Sequence, residues 1–162
     1  MREIVCTSSA AAETKEIAAE LATALVAGDV VLLSGDLGAG KTCFVQGAAH
    51  VLGVRSRVTS PSFVLVREYA GSIRIAHVDV YRLNSLQELI DLGYEELFDP
   101  DVLVFIEWGD AVSGLLPDDR IEVELLHETE EKRRITLRAN GPLWEARLDS
   151  VGARLQRWAV GA

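Results

Sequence analysis

The chain has 162 residues, a formal net charge of −9 and two cysteines, Cys6 and Cys43. This length fits one domain, 1–162, which can bury roughly two thirds of the surface of the unfolded chain without a disulfide or metal. The acidic charge argues against a broad basic surface that binds nucleic acid directly. Because there is no membrane-length apolar run and no signal-peptide pattern, the sequence predicts a reduced, cytoplasmic protein.

The first elements in chain order are a helix, a strand, a glycine-rich loop and a second helix. The first helix is predicted over 10–26, with Ser8 or Ser9 as its candidate N-cap. The apolar, β-rich run 29–34 is typical of a buried parallel strand. Apolar residues then recur at helical spacing over 44–52. The glycine-rich loop therefore lies between a strand and a helix.

This loop matches the phosphate-binding pattern G-x-x-x-x-G-K-[ST]. Glycines let backbone N–H groups curl around phosphate oxygens, and the following helix N-terminus adds partial positive charge. Lys41 would complement the β- and γ-phosphates, and the Thr42 hydroxyl could bind Mg²⁺. The predicted ATP-binding residues are Gly35, Asp36, Leu37, Gly38, Ala39, Gly40, Lys41 and Thr42.

The middle of the chain predicts a loop, a hairpin, a short helix and a second central strand. The polar segment 55–62 is broken by a proline and reads as a loop. Residues 63–69 and 73–79 predict two antiparallel strands joined by a tight turn. A short helix is predicted over 86–92. The fully apolar run 102–106 predicts another buried strand.

The last third of the chain predicts a second hairpin and an amphipathic helix. The hairpin strands are predicted over 121–126 and 133–138, around a charged turn. From Trp144 to Trp158, apolar residues alternate at steps of four and three, which indicates a helix with one apolar face. We expect this face to pack on the core, and partner docking is the alternative.

Two carboxylates are candidates for the chemistry of a phosphate site. Glu107 ends the apolar strand, and in open α/β sheets the carboxyl ends of strands form the ligand crevice, so it should converge with Thr42 on Mg²⁺. Asp79 follows an alternating strand and could orient the attacking water, hold the metal shell, or pair with Arg82. We assign no role to His77.

Two arginines, Arg82 and Arg133, are candidates for contact with the γ-phosphate. Trp108 could stack near the nucleotide or pack in the core, and the residues leave both possibilities open.

Five motifs occur together and in order: GDLGAGKT, TSPSF, HVDVYRL, DLGYEEL and IEWGD. In this combination the chain resembles the TsaE family, formerly YjeE, which is the ATPase subunit of bacterial threonylcarbamoyladenosine biosynthesis. The resemblance implies a P-loop NTPase-like three-layer α/β/α sandwich with a mixed, mostly parallel central sheet and antiparallel hairpins.

The resemblance also implies roles for named residues. Thr42 and Glu107 would hold Mg²⁺ beside ATP, and Asp79 would be needed for hydrolysis, so Asp79 and Glu107 are the catalytic candidates. A switch-like loop would comprise Ser60, Pro61 and Ser62.

Contacts on the adenine side of the nucleotide are implied near the start of the first helix, at Ala11 and Thr14, and a contribution to ATP binding is implied from the late hairpin near Arg133. The sequence departs from the family pattern at Cys43, where a threonine is common, and at Ala18, where a glycine is frequent. It also departs at Ser62, and at Gly109-Asp110 after the Glu-Trp pair.

The implied cofactors are ATP and Mg²⁺, and the implied partners are TsaB and TsaD, with tRNA bound indirectly through their complex. The acidic charge of this chain agrees with a partner that holds the tRNA. Two other functions fit the phosphate loop by itself. One is a small-molecule or nucleoside kinase, and the other is a nucleotide-responsive binding module with little turnover.

Overall fold

The computed structural model describes residues 2–36, 38–61, 66–80, 87–88, 90–91, 93, 98–107, 114 and 116–161. These residues form one seven-stranded sheet and three assigned helices. The strands are β1 (Arg2–Ser8), β2 (Val30–Ser34), β3 (Val66–Ala70), β4 (Arg74–Asp79), β5 (Val102–Glu107), β6 (Arg120–His127) and β7 (Arg133–Asn140). The helices are α1 (Ala11–Ala22), α2 (Lys41–Val51) and α3 (Pro142–Arg154).

The sheet has a parallel centre and antiparallel flanks. Its strand order is β1-β7-β6-β2-β5-β4-β3. The three central pairings, β6–β2, β2–β5 and β5–β4, are parallel, and the three outer ones are antiparallel. Both predicted hairpins are present as β3–β4 and β6–β7. The predicted α/β class with a mixed sheet is therefore confirmed.

The two continuous apolar runs of the sequence form the middle of this sheet. Residues 30–33 of β2 and all six residues of β5 are buried. Strands that are covered on both faces need side chains without polar groups on either side, which explains why these two runs do not alternate.

The three assigned helices cover one face of the sheet, where they enclose the larger core. Helices α1 and α2 pack closely, since a Cβ at Gly47 would lie 2.4 Å from the Lys15 carbonyl oxygen. The other face carries a smaller apolar cluster that includes Leu116, with Phe98 packed against it. The predicted short helix at 86–92 lies mostly outside the described residues, of which 87–88 and 90–91 are helical.

The N-terminal part of the chain differs from the prediction. Residues Arg2–Ser8 form β1, which was not predicted, and α1 covers Ala11–Ala22 rather than 10–26. The expected cap at Ser8 or Ser9 is wrong. Its position is taken by Ala10, which makes no side-chain cap hydrogen bond. Ser8 belongs to the sheet, and its hydroxyl bonds Thr14 Oγ1 at 2.7 Å instead of the first turn's N–H groups.

The C-terminal helix faces the core, as predicted. Trp144, Leu148 and Val151 are the buried residues of α3, and Leu155 and Trp158 remain buried in the turns that follow its end. Of the helices that the structure describes, none has both the length and the apolar character required to cross a membrane.

Candidate functional site

The glycine-rich loop connects β2 to α2 at the carboxyl edge of the sheet. Gly35 has a φ of 143° and lies so close to β6 that a Cβ would approach the Leu125 carbonyl oxygen to 2.4 Å. Gly40, with a φ of 107°, is the N-cap of α2, which begins at Lys41. These two positions therefore require glycine, one for close backbone approach and one for its left-handed conformation. Leu37 lies outside the described residues.

The Lys41 side chain is buried beneath this loop. Its Nζ donates hydrogen bonds to the carbonyl oxygens of Gly35 at 2.6 Å and Asp36 at 3.1 Å. Burial lowers the pKa of Lys41, and the negative charges of Glu107 and Asp79, and of Asp36, oppose that shift. The ammonium group of Lys41 therefore lies in the electrostatic field of Glu107 and Asp79, the two carboxylates that we identified from the sequence.

Strand register explains why these carboxylates lie near the loop. Leu33 on β2, two residues before Gly35, is the register partner of Glu107 on β5, and Glu107 is in turn the partner of Asp79 on β4. Both carboxylates are almost completely buried. The carboxyl ends of three adjacent parallel strands thus bring the loop, Glu107 and Asp79 to one edge.

The histidine to which the sequence assigned no role contacts one of these carboxylates. His77 is fully buried, and its Nε2 is hydrogen-bonded to Glu107 Oε2. The signal that could have identified it is the alternation of β4, which places His77 and Asp79 on the same face two residues apart.

A pocket of ≈ 450 Å³ lies beside the loop, at the start of α1 and the turn between β6 and β7. Its lining includes Ala11 and Thr14, for which the resemblance implies contacts on the adenine side, and Arg133, for which it implies a contribution to ATP binding. Arg133 Nε donates to the Ala39 carbonyl oxygen at 3.1 Å, so this guanidinium links β7 to the loop. Cys43 also lines the pocket, and burial raises the pKa of its thiol although Lys15 and Arg133 oppose the shift.

The segment between α2 and the proposed switch-like loop contacts both α2 and β3. Gln46 donates from Nε2 to the Val58 carbonyl oxygen at 2.8 Å, and the Thr59 N–H donates to the Tyr69 hydroxyl at 3.2 Å. Ser60 is exposed and Pro61 is buried. Other residues named from the sequence lie outside the described part of the chain: Ser62, Arg82, Trp108, Gly109 and Asp110.

The donor atoms at this edge fit a magnesium ion shared with phosphates. Mg²⁺ prefers oxygen ligands, and it is usually held by one or two carboxylates plus substrate phosphates and water. Glu107 and Asp79 supply carboxylates, and Thr42, in the first turn of α2, supplies a hydroxyl. Within the described ranges, no three His, Cys, Asp or Glu side chains cluster as a metal site. Two carboxylates and a hydroxyl suit an ion that is also held by the phosphates of a nucleotide.

Comparison with known proteins gives a consistent family. Residues 8–135 match the model of the family described as threonylcarbamoyl adenosine biosynthesis protein TsaE. The chain is 39% identical over 132 residues to the tRNA threonylcarbamoyladenosine biosynthesis protein TsaE of Treponema pallidum, covering 82% of this chain and 98% of that protein. It is also 39% identical over 134 residues to the Bacillus subtilis protein of the same name, covering 82% and 84%.

A solved structure agrees with the sequence comparisons. The crystal structure of Bacillus subtilis YdiB superposes with a TM-score of 0.80 at 32% identity, covering 94% of this chain and 96% of that one. The similarity therefore extends over the sheet, the phosphate loop and most of the remaining chain. The chain belongs to the TsaE family of threonylcarbamoyladenosine biosynthesis proteins.

Proposed function

We propose that this chain is the Mg²⁺-dependent, ATP-hydrolysing subunit of the complex that places threonylcarbamoyl groups on tRNA. The observation that carries the proposal is the position of Lys41, buried under a phosphate-loop sequence and in the field of Glu107 and Asp79. A cation that only stabilised the fold would not need a glycine-rich loop and a helix N-terminus beside it.

ATP binding is assigned to the loop from Gly35 to Thr42. The loop N–H groups and the N-terminus of α2 would contact the phosphate oxygens. Lys41 would exchange its two carbonyl contacts for the β- and γ-phosphates, which are stronger acceptors because they are charged. The pocket lined by Ala11, Thr14 and Arg133 is proposed to receive the base.

Thr42 and Glu107 are the proposed magnesium ligands. When bound, the ion would neutralise negative charge that develops on the phosphate oxygens. The carboxylate of Glu107 lies at the strand end next to β2, and Thr42 begins the helix that follows the loop. The protein thereby supplies ligands from two sides of the phosphates.

Asp79 is the proposed hydrolytic residue. It is the register partner of Glu107, so it lies one strand further from the loop on the same edge. From there its carboxylate would orient the attacking water. The switch-like loop of Ser60, Pro61 and Ser62 is proposed to respond to the γ-phosphate.

The partners proposed for this chain are TsaB and TsaD, and tRNA would be bound through them in the cytoplasm. The net charge of −9 supports an indirect contact with tRNA, because a polyanion would be repelled by most of this surface.

A coupled assay for ADP release tests the proposal against its alternatives. ADP release that needs no small-molecule acceptor is expected for the ATPase. A phosphorylated acceptor would instead identify a kinase, and tight ATP binding without release, even with TsaB and TsaD present, would identify a binding module. The Lys41→Ala variant, prepared in the same way, controls for contaminating ATPases.

A further inference from the structure

His77 is a fully buried histidine on β4, next to the edge strand β3, where its register partner is the exposed Arg67. On the helix-covered face it lies between Ile75 and Asp79 along β4, and its register partner on β5 is Phe105. A buried imidazole has to be desolvated, and an aliphatic side chain would fill this position without that cost. The histidine therefore needs an explanation beyond packing.

Its only hydrogen bond among the described residues is to Glu107. The bond runs diagonally between the strands, because Glu107 lies two residues beyond Phe105 on the same face. The second ring nitrogen, Nδ1, is buried and has no hydrogen-bond partner in the described part of the chain. The polar function of this side chain is thus directed at one carboxylate oxygen, Oε2 of Glu107.

We infer that His77 is a positioning residue for Glu107. Its Nε2–H holds Oε2, which fixes the rotation of the carboxylate and leaves the other oxygen for the Mg²⁺ that accompanies ATP. The inference rests on the proposed function, since it assumes that Glu107 acts on that ion. Groups that hold a metal ligand in place commonly set metal affinity without touching the metal.

Two amide substitutions separate this role from a packing role. In His77→Gln the side-chain nitrogen can occupy the Nε2 position, whereas in His77→Asn it reaches only the Nδ1 position. Both variants bury an amide at the same site, so they share the desolvation cost and differ in the contact with Glu107. Thermal melting of both checks that they are folded.

The readout is binding of a fluorescent ATP analogue, titrated with Mg²⁺ and measured again in EDTA. His77→Asn should raise the Mg²⁺ concentration at half-maximal effect by roughly 10- to 100-fold, and His77→Gln should stay within about threefold of wild type. Affinity in EDTA should be unchanged in both. A wild-type Mg²⁺ response in His77→Asn would overturn the inference while leaving the proposed function intact. A wild-type protein that binds the analogue with no Mg²⁺ effect would overturn the proposed magnesium site, and this inference with it.

A measurement on the unmodified protein covers the case in which His77→Asn does not fold. In a long-range ¹H–¹⁵N spectrum of wild-type protein, the Nε2 of His77 should carry a proton, because the Glu107 carboxylate can only accept. A bare Nε2 with the proton on Nδ1 would overturn the inference.

Discussion

Asp79 and Glu107 are register partners at the carboxyl ends of two adjacent parallel strands, and both are buried. Each also raises the pKa of Lys41, which burial lowers. Two buried carboxylates side by side repel each other, and a nearby cation reduces that repulsion. The ammonium group of Lys41 is such a cation in this structure, and we propose that Mg²⁺ is another when ATP binds.

The Asp79→Asn variant separates hydrolysis from binding. The amide keeps the size of the side chain but cannot orient a water molecule as a carboxylate does. We expect kcat to fall by about 100-fold or more, with ATP affinity within about threefold of wild type. Steady-state ATPase assays and calorimetric titration measure the two quantities.

The alternative role for Asp79 is an ion pair with Arg82. In that case the variant would lose thermal stability and keep its kcat. A lowered melting temperature with unchanged turnover would therefore remove Asp79 from the catalytic residues.

We expect hydrolysis by the isolated chain to be slow and to increase when TsaB and TsaD are added. Arg133 donates to the Ala39 carbonyl oxygen and to the β6–β7 turn, so it would have to give up these hydrogen bonds to act as an arginine finger, a group worth ~10³ to 10⁵ in rate elsewhere. Turnover above about 1 s⁻¹ by the purified chain would contradict this expectation, because typical kinase rates begin there.

The C-terminal helix is held by a partly buried ion pair, and its loss should destabilise the fold. Arg147 donates from Nη1 to Asp29 Oδ2 at 2.7 Å, with side-chain exposures of 30% and 8%. Arg147→Ala leaves the Asp29 charge in a poorly hydrated place, so the free energy of unfolding should fall by about 1–2 kcal/mol. Urea denaturation measures it.

Arg154→Ala is the matched control, because Arg154 is on the same helix but pairs with Glu20 at the exposed surface. Its loss should change stability by less than about 0.5 kcal/mol. Equal losses of unfolding free energy for the two substitutions would show that the Arg147–Asp29 pair stabilises the fold no more than an exposed ion pair does.

Cys6 should make the protein sensitive to alkaline pH. Burial raises the pKa of its thiol from 9.0 to about 11. The thiol titrates in the unfolded chain first, so its contribution to stability is complete below pH 9 and is lost as the pH rises through about 11.

As the pH rises from 9 to about 11, the free energy of unfolding of wild type should fall more steeply than that of Cys6→Ala, by about 1.4 kcal/mol per pH unit. Urea denaturation of both proteins at several pH values measures the difference. Parallel curves would show that the thiol does not titrate differently on unfolding.

The centre of the fold could be predicted from the sequence, and the N-terminal edge could not. Strands β2 and β5 are continuous apolar runs, a pattern that is local and easily recognised. Strand β1 lies at the start of the sequence and pairs with β7 near its end, so that Cys6 is the register partner of Ile135. No local sequence pattern indicates a pairing between such distant residues. When the pairing is not known, Ser8 looks like the N-cap of the first helix.

The site was partly predictable for the same reason. Motif spacing identified Lys41 because it follows the glycine-rich loop. It identified Glu107 and Asp79 because they lie at the ends of recognisable strands. The contact of His77 with Glu107 depends on the parallel register of β4 and β5, and this register could not be predicted from the sequence. Likewise, the hydrogen bond from Arg133 to the loop joins residues 94 positions apart.

Calorimetric titration of the protein with ATP and Mg²⁺, for wild type and Lys41→Ala, tests the proposed ATP site most directly. The substitution removes the charge that would complement the β- and γ-phosphates in a site otherwise formed by neutral N–H groups. Lys132→Ala, at an exposed position in the β6–β7 turn, controls for the loss of one positive charge. The account predicts saturable binding by wild type and Lys132→Ala, and no measurable binding by Lys41→Ala. Wild-type affinity in Lys41→Ala would contradict it.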